Sequence, residues 1–89
     1  MNHKELDVWK ESINLVTKVY SLTADFPNDE KFGIVSQMRR SAISIPSNIA
    51  EGCARISDKD ILRFIDIASG SLAELETQIL ISKNLGFIS

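Results

Sequence analysis

Residues 37–55 read QMRRSAISIPSNIAEGCAR, and the periodicity running through this stretch decides the fold. Val35, Met38, Ala42, Ile45 and Ile49 recur at spacings of 3, 4, 3 and 4, the repeat of one face of an α-helix, and the pattern continues straight across Pro46. A proline inside a helix removes one backbone hydrogen bond and crowds the preceding turn. The stretch is therefore predicted to be one helix kinked at Pro46, with Ser44 and Ser47 placed to satisfy the freed backbone groups, weakening or ending near Gly52. A second series, Gln37, Arg40, Ser44, Asn48 and Glu51, recurs at 3, 4, 4 and 3, with Arg55 one turn further on. These residues form a polar ridge beside the apolar stripe. A merely solvated face favours Lys and Glu, whereas this one combines Arg with short polar residues that make defined hydrogen bonds, so it reads as an interaction ridge.

Working outward, the segment before it places Leu6, Trp9, Ile13, Val16 and Tyr20 on one helical stripe, with Leu15, Val19, Leu22 and Phe26 beside them. Two adjacent stripes make a face wide enough for at least two neighbouring helices, and Trp9 is read as a core anchor. Phe26 precedes Pro27, which disfavours helical dihedrals there, while Pro27, Asn28, Asp29 and Glu30 favour a new helix start. On the far side, Ser57 with Asp60 resembles a capping box that starts a third helix at Asp58. In that helix Ile61, Ile65, Ala68, Leu72, Leu75, Ile79 and Ser82 hold a 4, 3 alternation up to a left-handed cap at Gly86. The small run Ala68 to Ser71 predicts close approach of another backbone, with Gly70, Ser71 and Glu74 as tight-packing residues. Short connections make consecutive helices antiparallel, so the expectation is an all-α, up-down bundle forming a single domain over residues 1–89.

Composition narrows the function. Ten basic and twelve acidic residues give a net charge of −2, against the strongly basic footprint usual for nucleic-acid binding, although residues 28–55 sum to +1. One cysteine, Cys53, and one histidine, His3, supply neither a disulfide framework nor a Cys/His metal cluster. With no long apolar run and no secretory signal pattern, a cytoplasmic protein without membrane contact is expected.

Catalytic constellations are missing from the pattern. Glu74 and Glu76 flank Leu75 and so point to different sides of a helix, unlike an acid–base pair serving one site. Ser71 and Cys53 lack a basic partner at motif spacing and read as packing residues. Arg39, Arg40, Arg55 and Arg63 suit either a phosphate-binding patch or ion pairs with Glu51, Glu74 and Glu76. The chain is therefore expected to be non-enzymatic, with no cofactor, metal or small-molecule substrate identified.

Three stretches, LDVWKESINLVTKVY, FPNDEKFGIVSQMRRSAISIPSNIAEG and FIDIASGSLAELETQILISKNLGFI, resemble the four-helix-bundle family of 23S rRNA-intervening sequence proteins. The likeness spans nearly the whole chain. It centres on Gln37, Arg40, Ser44, Ile45, Pro46, Asn48, Ile49, Ala50, Glu51 and Gly52, with Gly70, Ser71 and Glu74 fitting a second signature. The related accessory proteins of diversity-generating retroelements assemble as pentameric barrels and work with nucleic acid. The resemblance thus implies a homo-oligomer, a pentamer, serving as an assembly or adaptor module, with RNA or DNA binding by the ring as the alternative. Two departures stand out: those accessory proteins are basic whereas this chain has a pI near 5.3, and a fourth family helix is absent before the chain stops at Ser89. Three helices alone are expected to leave apolar stripes of the first and third uncovered, to be covered either by partner subunits or by a fourth helix that this stretch of chain lacks.

Overall fold

Apolar residues at helical spacing bury themselves by packing helix on helix, and the computed structural model, which describes residues 1–89, contains three long helices and no strand. Helix α1 spans Asp7–Thr23, α2 spans Ile34–Cys53 and α3 spans Asp58–Asn84. A 3₁₀ turn, His3–Glu5, precedes α1, with the Asn2 side chain accepting from the Lys4 N–H at 3.0 Å. It packs back on the helix, where His3 meets the Trp9 ring edge to face at 5.0 Å.

The start of the second helix differs from the sequence expectation. Asn28–Glu30 form a separate 3₁₀ turn, and α2 begins only at Ile34, after Gly33 takes a backbone of φ −108° and ψ −118° that belongs to no helix. The Asn28–Glu30 turn closes on Pro27 and Asn28 carbonyls, so the favourable start residues are used, but on a different element. From Ile34 the helix runs uninterrupted through Pro46. Of the side chains near that proline, Asn48 reaches the backbone, its Nδ2 donating to the Ser44 carbonyl at 2.8 Å.

Both ends of α3 follow the local rules. Ser57 Oγ accepts the Asp60 N–H at 3.2 Å. At the other end Gly86 has φ +80°, and the N–H groups of Phe87 and Gly86 close on the carbonyls of Ser82 and Lys83 at 2.9 and 3.0 Å, the paired bonds of a Schellman cap. That cap turns Phe87 back until its ring lies 5.5 Å from Phe26, at the end of α1.

Packing makes α2 the centre of the molecule. It packs against both neighbours, more extensively against α3, whereas α1 and α3 have no comparable packing on each other. The three helices thus occupy three corners of a four-cornered bundle. Val19, Phe26, Val35, Met38, Ala42, Ile45, Ile49, Ala68 and Leu75 form the core. Of the two stripes on α1, the one holding Val19 and Phe26 faces inward. Trp9 and Val16 are half-buried against the core, while Ile13 and Tyr20 are each 39% exposed.

Helices α2 and α3 approach closely at Gly52. A Cβ placed there would lie 3.3 Å from the Phe64 Cβ and 3.4 Å from the Ile61 carbonyl oxygen. Gly70, expected in the tight crossing, is exposed, with no atom within 4 Å of where its Cβ would be. The small-residue run is real in sequence, but helical rotation turns Gly70 outward and brings Ala68 and Ser71 in.

Candidate functional site

Ser44 on α2 and Ser71 on α3 are joined hydroxyl to hydroxyl at 2.7 Å, and this bond sets the register of the seam. Asn48 locks it from one turn along, its Nδ2 donating to Ser44 Oγ at 2.9 Å as well as to the Ser44 carbonyl. In an antiparallel pair one turn further in each direction brings Ser41 level with Glu74, and the next brings Gln37 level with Gln78.

A cleft of roughly 310 Å³ opens there, lined by Gln37, Arg40, Ser41, Ser44, Ser71 and Glu74, none of them hydrophobic. Arg40 stands on the α2 wall and Glu74 on the α3 wall, yet the two form no ion pair; Glu51–Arg55 is the one ion pair in the chain. Glu74 is held from below, where Gln78 Nε2 donates to its Oε1 at 3.2 Å. Gln78 is only 6% exposed, and its own Oε1 is buried without a partner.

The predicted ridge therefore divides. Gln37, Arg40 and Ser44 line the cleft, Asn48 braces its floor, and Glu51 with Arg55 forms an exposed pair at 2.7 Å, one helical turn apart and outside the cleft. Ser71 and Glu74, singled out separately on α3, meet the first part of the ridge, whereas Gly70 does not. The arginines make no ion pair between helices. Arg39 lies over the Tyr20 ring at 4.3 Å and donates through Nε to Thr23 Oγ1 at 3.0 Å. Arg55 and Arg63 both lie over Phe64, at 4.8 and 5.3 Å.

Three residues escaped the sequence reading. Gln78 sits one helical turn beyond Glu74, so extending that series by a turn would have found it, whereas Ser41 lies inside the ridge, beside Arg40 and one turn before Ser44. Phe32 is 91% exposed on the α1–α2 connection, beside Lys31, and borders a depression also lined by Tyr20, Arg39 and Arg40. No group of three or more His, Cys, Asp or Glu side chains is arranged to hold a metal ion, and no helix is long and apolar enough to cross a membrane. Cys53 is half-buried and free, its carbonyl accepting from the amino-terminal ammonium at 3.3 Å.

Two apolar surfaces complete the inventory. One lies in the vacant corner of the bundle, where Val8 of α1 and Ile65 and Leu72 of α3 border a groove floored by Ile45, Ile49 and Ala68. The other lies on the outer side of the α1–α2 pair, formed by Trp9, Ile13 and Val16 with Ile43, Pro46 and Ala50. The sequence model of a family described as 23S rRNA-intervening sequence protein matches residues 4–89. No curated protein matches the chain.

Proposed function

The chain belongs to the 23S rRNA-intervening sequence protein family, and from that premise we propose that it is a non-enzymatic, cytoplasmic bundle protein that assembles as a homo-oligomer, a ring of five by resemblance, and serves as an assembly or adaptor module. The observation that carries the reading is surface. A compact monomer of 9.9 kDa exposes about 5,200 Å². This chain exposes 6057 Å², with only 16 of its 89 residues buried. The excess, about 850 Å², is close to the ~800 Å² that each partner contributes to a standard stable interface. Part of the exposed apolar surface gathers in the two places described: Val8, 57% exposed, with Ile65 and Leu72 at the vacant corner, and Ile13 with Ile43 on the outer α1–α2 face.

Two non-overlapping apolar faces suit head-to-tail assembly, in which one face of each subunit meets the other face of the next and rotation closes a ring. Mixing two variants tests this directly. Leu72→Asp spoils the vacant corner and Ile13→Asp the outer face, so each alone is expected to be monomeric. Together they retain one intact pair of faces and should form a one-to-one dimer in sedimentation velocity. A monomeric mixture, or an Ile13→Asp variant that still dimerises alone, would contradict head-to-tail assembly.

A second reading, RNA or DNA binding by the assembled ring, has one observation in its favour. Lys31, Arg39 and Arg40 surround a depression bordered by exposed Phe32, pairing cations for phosphates with a ring on which a base can stack. Repetition around a ring multiplies such a modest patch. Binding to single-stranded RNA should then weaken steeply as salt rises and fall further in Phe32→Ala; no binding at low salt would remove this reading.

A further inference from the structure

We propose that the cleft between α2 and α3 is a binding site for a small zwitterion of the α-amino-acid type, its carboxylate on Arg40 and its ammonium on Glu74. The inference stands apart from the assembly reading, since the cleft uses none of the residues that line the two apolar faces.

Hydrogen-bonding capacity is the first argument. Several hydroxyls elsewhere in these helices turn back onto their own backbone: Ser12 on the Trp9 carbonyl, Thr17 on Ile13, Thr23 on Val19, Thr77 on Ala73 and Ser82 on Gln78. Two of the cleft serines do otherwise. Ser44 and Ser71 bond to each other, and because Asn48 already donates to Ser44 Oγ, the pair holds two hydroxyl hydrogens and uses one between them. The other is free to donate. Ser41 is only 5% exposed and lines the cleft, and its hydroxyl makes no hydrogen bond within the chain. That hydroxyl keeps some contact with solvent and so is open to a ligand in the cleft.

Charge placement is the second. A guanidinium on one wall and a carboxylate on the other, not paired to each other, offer opposite charges to a ligand that carries both. A simple anion would meet Arg40 but be repelled by Glu74, and a simple cation would face the reverse. The Glu74 carboxylate is also fixed in place, by the nearly buried Gln78 amide. At roughly 310 Å³, with no hydrophobic lining, the cleft sits at the small end of ligand-pocket volumes, which excludes a large or apolar ligand.

The test is calorimetric and ligand-detected NMR titration of the intact protein with L-serine, L-alanine and glycine, set beside acetate, methylammonium and inorganic phosphate as half-ligands. Saturable binding of one or more amino acids at millimolar concentration is expected, with each half-ligand at least about tenfold weaker. Arg40→Gln and Glu74→Gln should each weaken the amino acid about tenfold or more, while Arg63→Gln, outside the cleft, leaves it unchanged. Both cleft residues are exposed, and unaltered circular dichroism checks that the variants fold. Absence of saturable binding, acetate or methylammonium binding as well as the amino acids do, or binding indifferent to Arg40 and Glu74 would each overturn the proposal. Thermal stability of the single and double variants supplies the remaining arm: strong mutual coupling of Arg40 and Glu74 without ligand would mean that they satisfy each other in solution and leave no site.

Discussion

Along its α3 side, α2 presents Ser41, Ser44, Asn48 and Gly52; along its α1 side it meets Val19, Thr23 and Tyr20 through apolar residues and Arg39. The α3 seam has its register fixed by cross-helix hydroxyls and its spacing fixed by a glycine against the Cβ of Phe64. The α1 seam is held by side-chain burial and one stacked arginine, and it leaves Ile13 and Tyr20 partly in solvent. The difference teaches that α2 and α3 form the more extensively packed half of the molecule. Both outer helices nonetheless leave apolar residues exposed, Val8 and Ile13 on α1 and Leu62, Ile67 and Leu80 on α3.

The contrast can be broken in several places, beginning where the effect is largest. Leu75 is buried in the core of the more extensively packed half, so Leu75→Ala should cost about 2–5 kcal/mol in urea unfolding, transfer and cavity terms together. A loss under 1 kcal/mol would mean that the α3 side is no better packed than the α1 side. Gly52→Val should cost about 1–3 kcal/mol, because the added branches meet the Phe64 side chain and the Ile61 carbonyl; an unchanged unfolding midpoint would show that the helices can separate freely there.

On the other side, Arg39→Ala removes the stack on Tyr20 and the bond to Thr23, about 1–2 kcal/mol. If the loss matched that of Leu75→Ala, the ranking of the two halves would fail. The smallest change should come from Glu51→Ala, which breaks an exposed pair within one helix worth about 0.3–0.5 kcal/mol to the isolated fold. A larger fall in melting temperature than in Lys10→Ala would then measure a role of the lower ridge in the assembly.

How far these features were legible in the chain depended on whether their cause was local. Ser57 and Gly86 signalled the limits of α3 because a cap is decided by neighbours three to five residues away, and the structure closes both ends as expected. Pro46 did not hide α2, since the apolar series continued across it. The start of α2 was misplaced because Pro27 to Glu30 suit the first turn of any helical segment, and nothing in their spacing distinguishes a 3₁₀ turn from a longer helix. Gly70 was misread for a different reason. A run of small residues shows that close approach is tolerated, but which of them faces α2 depends on rotation about the helix axis, and Gly52 is the glycine the neighbour touches.

The cleft illustrates the same limit. Gln37, Arg40 and Ser44 were visible as one ridge, and Ser71 and Glu74 as part of another pattern, each by helical spacing alone. That they line one space follows from antiparallel register, which no single-helix periodicity carries. Gln78 lay one turn beyond Glu74, and Ser41 lay inside the ridge but off its spacing. Phe32 stood alone in a connection, where periodicity has nothing to say.

What joins the two halves into one account is the surface that neither covers. Multi-angle light scattering of the purified chain at micromolar concentration tests that most directly. The account predicts a particle of several 9.9 kDa subunits, five if the family resemblance extends to number. A well-folded monomer at the same concentration would contradict it.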